Sequence, residues 1–185
     1  MATTNRPPRL LSAEDCVLAV IDVQEKLLPV MENEERVQSN IVRLLQFCRI
    51  ASIPVLPCEQ IKLGSIVEPI RRELGDSAPI RKDCFNCFDS PEFRDRLGAL
   101  DRRALVVAGI EAHICVSQTA IAGLADYDVH VVADATSSRH APNIDIASNR
   151  LLQAGAVVTS TEMFMFEVLR RAGTDAFRQT IKLVK

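Results

Sequence analysis

Three side chains in this sequence have the chemistry needed for nucleophilic catalysis. Cys115 follows the apolar run LVVAGI and opens a predicted helix. The positive end of a helix favours the thiolate, which is the reactive form of cysteine, and its free N–H groups can hold an oxyanion. Asp22 ends the run CVLAVI and could accept the thiol proton, while Lys82 could keep that carboxylate ionised and favour the thiolate. Taken singly, each also fits an ordinary structural role: a small hydrophobe, a turn cap and a solvated loop lysine.

The elements that must position these residues alternate between strand-like and helix-like segments. The continuous apolar runs resemble strands that are buried on both faces, and the helical segments carry apolar residues at helical spacing. The predicted strands are Cys16–Val23, Ile53–Leu56, Pro79–Arg81, Ala104–Ala108, Val129–Ala133 and Val157–Thr159. The predicted helices are Glu35–Ala51, Ile66–Leu74, Pro91–Leu100, Val116–Ala125, Asn143–Gln153 and the C-terminal tail.

This alternation predicts a three-layer α/β/α, Rossmann-like fold with a parallel sheet of about six strands. We find no internal repeat or linker, so residues 1–185 are predicted to form one domain. In such sheets ligands bind at the carboxyl ends of the strands. That rule selects a short list of polar or reactive candidates: Asp22, Glu59, Lys82, the loop from Gly109 to Cys115, and Asp134.

The composition limits the classes of partner. The chain has 48% hydrophobic and 25% charged residues and a formal net charge of -2, without a Lys/Arg cluster of the kind that binds nucleic acid or anionic membranes. Its apolar runs are too short to cross a bilayer. We therefore expect a small-molecule substrate, assembly into a homo-oligomer, and no nucleic-acid or membrane partner. The N-terminus lacks the apolar core of a signal peptide, and six cysteines in such a chain indicate reduced thiols. This predicts a cytoplasmic protein, with the mitochondrial matrix and the peroxisome left open.

The set VLAVIDVQEKL, RKDCFNCF and VVAGIEAHICVSQTA resembles the isochorismatase-like cysteine hydrolases, especially the branch of isochorismatase domain-containing proteins. The resemblance implies a catalytic triad of Asp22, Lys82 and Cys115. It also implies a non-proline cis peptide at Ile110–Glu111, which would aim the backbone N–H groups of Glu111 and Cys115 at the oxyanion. Such a bond costs about 2.5–4 kcal/mol and is normally tied to function.

Five more residues are predicted to lie at the substrate pocket: Gln24, Phe85, Phe88, His113 and Thr136. Two departures from the family pattern also matter. Members that hydrolyse nicotinamide carry an Asp-x-His metal pair where this chain has PCEQIK, so we expect no metal and no other cofactor. True isochorismatases lack the nucleophilic cysteine, so Cys115 argues against cleavage of a vinyl ether.

The favoured function is metal-independent hydrolysis of a small amide or related acyl bond through a thioester on Cys115. Two rivals stay open. One is a non-catalytic oligomeric interaction protein that keeps the fold, and the other is a thiol redox sensor that pairs Cys115 with Cys84 or Cys87. The C-F-N-C motif that contains those two cysteines lacks the further ligands that zinc requires, so packing thiols are the simpler interpretation. The apolar segment from Phe164 to Leu169 predicts core and subunit contacts.

Overall fold

The computed structural model describes residues 10–185, and residues 1–9, on which part of the localisation prediction depends, lie outside it. The strands are β1 (Cys16–Ile21), β2 (Val55–Gln60), β3 (Ile80–Lys82), β4 (Ala104–Ile110), β5 (Asp128–Ser137) and β6 (Val157–Thr159). The helices are α1 (Glu34–Ala51), α2 (Glu68–Leu74), α3 (Pro91–Ala99), α4 (Ser117–Gly123), α5 (Ala141–Ala154), α6 (Thr161–Leu169) and α7 (Asp175–Val184). Short 3-10 helices lie at Leu28–Val30 and Cys87–Asp89, and a π-helical turn at Ala112–Val116.

All six strands join one parallel sheet in the order β3-β2-β1-β4-β5-β6. This confirms the predicted α/β fold and the predicted number of strands. The chain runs outward from β1 to β3 and then returns to place β4 on the other side of β1. Neighbouring connections therefore diverge between β1 and β4, which creates the crevice where such sheets bind ligands.

The core has two parts, one on each face of the sheet. On one face, α1 and α6 cover alternate residues of β1 and β4, with Phe47 packed edge-to-face on Phe164 at 5.7 Å between ring centroids. On the other face, α3 and α4 cover the intervening residues, and Phe93 is fully buried there. Burying one such side chain stabilises the fold by about 1.5–3 kcal/mol. Both central strands are buried along their whole length, as their continuous apolar sequences predict.

Gly109 permits the close approach of β1 and β4 at the crevice. It pairs with Ile21 and has a φ of 129°, a conformation that residues with a Cβ rarely adopt. A Cβ placed there would lie 2.2 Å from the carbonyl oxygen of Ile21. The glycine therefore allows the ends of these two strands to be neighbours.

The strand β5 bulges away from β4 near its carboxyl end. Val131 pairs with Val107, but the next pair on β4 joins Gly109 to Thr136. The Thr136 hydroxyl spans the bulge by donating to the carbonyl oxygen of Val132 at 2.8 Å. The bulge also brings the Asp134 carboxylate to the start of α6, where it accepts from the backbone N–H of Thr161 at 2.7 Å.

Within residues 10–185, every helix falls short of the length and apolar character needed to cross a membrane.

Candidate active site

The three residues with nucleophilic or acid–base chemistry meet at the carboxyl edge of the sheet. Asp22 directly follows β1, Lys82 is the last residue of β3, and Cys115 lies in the π-helical turn after β4. Because β2 separates β3 from β1, the lysine side chain crosses the end of β2 to reach Asp22. The structure thus brings together the residues that the sequence selected on three separate strands.

An ion pair between Lys82 and Asp22 forms the centre of this site. Lys82 Nζ donates to Asp22 Oδ2 at 2.8 Å, to Gln60 Oε1 at 3.0 Å and to the carbonyl oxygen of Cys84 at 3.2 Å. The two charged side chains are 0% and 1% exposed. An ammonium has three N–H donors, so each of them has an acceptor here.

The backbone of Asp22 is unusual as well. Its φ is 58°, a left-handed conformation that ends the extended backbone of β1. Aspartate tolerates this left-handed conformation better than most residues that have a Cβ. The predicted strand, which extended to Val23, is therefore two residues too long. The turn lets Asp22 place its carboxylate between the ends of β3 and β4.

Burial and charge act in opposite directions on this pair. Burial raises the pKa of Asp22, and the positive charge and hydrogen bond of Lys82 counter only part of that effect. For Lys82, burial acts to lower the pKa, but the charge of Asp22 and the neighbouring thiols outweigh it, so the pKa is raised. The lysine is thus held as a cation beside a carboxylate that is more basic than an exposed aspartate.

Cys115 lies beside the same carboxylate. It is 6% exposed, and its thiol lies close enough to the Asp22 carboxylate for each group to shift the pKa of the other. Burial and then the negative charge of Asp22 raise the pKa of the thiol, and Lys82 opposes them only in part. A helix start and Lys82 both favour the thiolate, but burial of the thiol and the charge of Asp22 outweigh them.

One oxygen of the Asp22 carboxylate remains available to that thiol. Oδ2 is bonded to Lys82, whereas Oδ1 is buried and makes no hydrogen bond of ordinary geometry to the residues that the structure describes. A buried carboxylate oxygen without a donor is costly and is found mainly where it has a function. The arrangement offers a proton acceptor next to a protonated nucleophile.

The predicted cis peptide at Ile110–Glu111 is wrong. Every peptide bond in the described chain is trans, and Glu111 has extended dihedral angles of -60° and 117°. The trans form is favoured by about 2.5–4 kcal/mol for such a bond, and the π-helical turn after Glu111 redirects the chain without any isomerisation.

The buried side chain of Glu111 belongs to a polar cluster that reaches the surface at Arg139. Its carboxylate is bonded by the guanidinium and, at 3.2 Å, by the backbone N–H of Arg139. His113 Nδ1 is 3.4 Å from Glu111 Oε2 and 2.9 Å from the hydroxyl of Ser138, and His113 Nε2 is 3.3 Å from the amide of Asn143. His113, two residues before the thiol, is therefore braced on both ring nitrogens. This cluster fixes the loop that carries Cys115 against α5.

The other predicted pocket residues occupy different environments. Phe85 is 55% exposed in the loop after Lys82, and Phe88 is half-buried against Phe93 and Tyr127, with ring centroids at 5.2 and 6.0 Å. Thr136 is buried and its hydroxyl is used within the β5 bulge. Of these residues, Phe85 is the one with the most surface open to a ligand.

The two glutamines at the crevice form a structural unit. Gln24 is fully buried, and its amide pairs with the backbone of Gln60 through an acceptor contact of 2.8 Å and a donor contact of 2.9 Å. Its Nε2 also donates to the carbonyl oxygen of Gly64 at 2.6 Å. Both donors of the Gln24 amide are therefore engaged by backbone. Sequence reasoning missed Gln60, since the predicted strand ended at Leu56 and left Gln60 in a loop.

The remaining cysteines near the site are packed on the side of α3 and α4. Cys87 is buried, and its backbone N–H donates to the hydroxyl of Thr119 at 2.9 Å. Cys84 is partly exposed and offers its carbonyl oxygen to Lys82. All six cysteines are free thiols.

Comparison with known proteins places this fold and sequence in a defined group. The model of the isochorismatase domain matches residues 16–163. Isochorismatase domain-containing protein 2 of Danio rerio is 34% identical over 177 residues, which are 94% of this chain and 89% of the relative. A Caenorhabditis elegans protein described as MAR1 ribonuclease is 30% identical, with a TM-score of 0.89 over 95% of this chain and 92% of its own. The Escherichia coli YcaC product, described as an octameric hydrolase of unknown specificity, has a TM-score of 0.90 at 22% identity, over 97% of this chain and 91% of its own.

Proposed function

This chain belongs to the isochorismatase family of hydrolases. We propose that it is a cysteine hydrolase acting on a small amide or related acyl bond. One observation carries the proposal: the Cys115 thiol lies beside a buried carboxylate, one oxygen of which is held by Lys82 while the other has no hydrogen bond within the described residues. An interaction protein would gain nothing from burying these three groups together.

The reaction begins with a protonated thiol, because the pKa of Cys115 is raised in the resting site. As Sγ bonds to the substrate carbonyl carbon, the thiol proton passes to Asp22. The carbonyl oxygen becomes an oxyanion, and the backbone N–H of Cys115 is the proposed donor to it. The Ile110–Glu111 peptide is trans, and the N–H of Glu111 is not part of the proposed oxyanion site.

Collapse of the tetrahedral intermediate breaks the C–N bond, and Asp22 returns its proton to the departing amine. A water molecule then attacks the thioester and gives its proton to Asp22, which passes it to the departing thiol. The acid is released and Cys115 is regenerated. During attack the negative charge passes from Asp22 to the substrate oxygen, and the Lys82 ammonium compensates it while it resides on Asp22.

A raised carboxylate pKa suits this cycle. A base must hold the proton long enough for the leaving amine to take it, and a more basic carboxylate does so better than an exposed aspartate. The proposed chemistry therefore depends on proton transfer during attack and needs no preformed thiolate.

We also propose that the chain works as a homo-oligomer. Large hydrophobic side chains remain exposed along α5, β6 and α6: Ile146, Leu152, Val157 and Met163 are 62%, 53%, 49% and 60% exposed. Exposed apolar side chains of this number on adjacent elements suit a subunit contact. In the segment from Phe164 to Leu169, which the sequence predicts to form core and subunit contacts, Phe164 and Met165 belong to the core.

The test is a screen of small amides and esters, with release of the acid as the readout, on the wild type and on Cys115→Ser and Asp22→Asn. We expect turnover of at least one amide and its loss in both variants. A short RNA belongs in the same screen because of the C. elegans relative. Cleavage of RNA without amide turnover, or amide turnover that survives Asp22→Asn, would refute the proposal.

A further inference from the structure

We infer that Gln60 is a positioning residue of this site, which fixes the Lys82 ammonium between Asp22 and the loop after β3; the inference rests on the proposed function for its catalytic meaning. Gln60 Oε1 accepts from Lys82 Nζ at 3.0 Å. The other two acceptors are the carboxylate of Asp22 and the backbone of Cys84. Gln60 thus supplies the neutral side-chain acceptor among the three.

The amide of Gln60 is held in one orientation. Its Nε2 donates to the carbonyl oxygen of Asp83 at 3.0 Å, so the amide oxygen is the atom turned to Lys82. If the amide oxygen and nitrogen of Gln60 were exchanged, the NH2 group would face the Lys82 ammonium, which is also a donor. The bond to the carbonyl oxygen of Asp83 would be lost as well. The side chain therefore links the lysine to the backbone of the very next residue in the chain.

The backbone of Gln60 is held just as firmly. β1 ends at Ile21, and its ladder to β2 ends with the pair Ile21–Cys58. Two residues farther along β2, the amide side chain of Gln24 takes the place of the missing strand and bonds both the N–H and the C=O of Gln60. The turn after β1 thus supplies Asp22 to the lysine directly and Gln24 to the lysine's second acceptor.

This geometry has an electrostatic consequence. An ammonium that has lost one of its acceptors is either left with an unsatisfied donor in a dry site or must move. Since the charge of Lys82 restrains the pKa of Asp22, a displaced lysine would let that pKa rise. The other titratable groups acting on Lys82 are the thiols of Cys87 and Cys115.

Two variants separate this role from simple packing. Gln60→Met keeps the approximate volume but removes the acceptor, and Gln60→Glu keeps the shape but adds a negative charge that competes with Asp22 for Lys82. The matched control is Gln46→Met. Gln46 donates to Glu73 Oε1 at 2.9 Å between α1 and α2, away from the crevice.

The readout is the rate at which iodoacetamide alkylates Cys115, measured by peptide mass spectrometry between pH 4 and pH 9. In the proposed site the rate falls at acid pH as Asp22 is protonated. We expect the midpoint of that fall to move upward by about one pH unit in Gln60→Glu. At pH values below both midpoints, this variant should then react roughly tenfold more slowly than the wild type. For Gln60→Met we expect a slowing of about threefold, and Gln46→Met should match the wild type.

A second measurement covers the case in which the buried thiol does not react. Chemical unfolding at pH 5 and pH 8 reports the same carboxyl group, and both Gln60 variants should lose more stability at pH 8 than the control does. Coincident pH profiles for the wild type and both Gln60 variants would overturn the inference. Neither readout requires turnover, so failure of the amide screen would leave this result interpretable, and an active enzyme with unchanged profiles would refute Gln60 alone.

Discussion

Replacing Lys82 by methionine removes the ammonium that contacts Asp22 Oδ2 at 2.8 Å, where both side chains are almost fully buried. Coulomb's law gives about 6 kcal/mol for unit charges at that separation with an effective dielectric constant of about 20. Much of this attraction offsets the cost of dehydrating the charges. Removing one partner of a buried pair therefore costs about 3–5 kcal/mol, because the other charge is left uncompensated. We expect the melting temperature of Lys82→Met to fall by roughly 6–20 °C.

The loss should also depend on pH. Burial raises the pKa of Asp22 from its ordinary value of 3.8, and without Lys82 that pKa rises further. An acid whose pKa is higher in the folded state than in the unfolded state keeps its proton in the folded state. The free energy of unfolding therefore falls as pH rises from the unfolded pKa through the folded one. Lys82→Met should lose more stability at pH 8 than at pH 5.

The assay is urea unfolding, followed by circular dichroism, of the wild type, Lys82→Met, Asp22→Asn and the double variant. The double variant removes both charges, so we expect it to recover most of the stability that Lys82→Met loses. The four proteins form a double-mutant cycle that isolates the interaction. A loss below about 1 kcal/mol, as for an exposed pair, or an equal loss at both pH values would refute the reasoning.

Four further outcomes follow from the structure. Gly109→Ala should lose about 3 kcal/mol of stability or more, because its Cβ would collide with the backbone of Ile21. The control is Gly98→Ala, whose Cβ meets nothing within 4 Å and which should be neutral or slightly stabilising; thermal unfolding compares the two variants. Since the thiol pKa of Cys115 is raised above 9.0, the wild type should lose stability as pH rises beyond that value, and Cys115→Ala should lose less, as pH-dependent unfolding would reveal. Prolonged treatment with a chelator should leave acid release unchanged, because PCEQIK replaces the Asp-x-His metal pair, and stoichiometric zinc or iron in unsupplemented protein would contradict this. Light scattering at micromolar concentration should report an oligomer, and Ile146→Asp should weaken it relative to a change at the exposed helix residue Glu35.

The sheet could be predicted from the sequence because its central strands are buried on both faces. Short continuous runs such as CVLAVI, rich in β-branched residues, are typical of strands that are buried on both faces, and strands that alternate with helices leave few topologies. The same topology placed Asp22, Lys82 and the loop of Cys115 at one edge before any distance was known. Local sequence was sufficient there because the carboxyl ends of parallel strands must coincide.

Other features depend on contacts that local sequence does not contain. β2 continues through Pro57 to Gln60, since pairing with β1 and β3 outweighs the weak strand preference of proline, and the predicted end at Leu56 hid Gln60. The sign of the thiol's pKa shift depends on the burial of Cys115, which a position near a helix start cannot reveal. The sequence likewise predicts a loop up to Cys115 and a helix from Val116, where the structure has a π-helical turn over Ala112–Val116.

The lysine of the site belongs to β3, which with β6 is one of the two short edge strands of the sheet. β3 has three residues, lies at the edge of the sheet, and pairs with β2 alone among the described strands. Edge elements with so few ladder bonds are the first to open in native-state fluctuations. Each such opening of β3 would withdraw the Lys82 ammonium, while Asp22 stays after β1 and Cys115 stays in the turn after β4. Amide hydrogen exchange at residues 80–82 should therefore report how often Lys82 leaves the site while Asp22 and Cys115 stay in place. A ligand that contacts β3 and holds it in the sheet would make this state rarer.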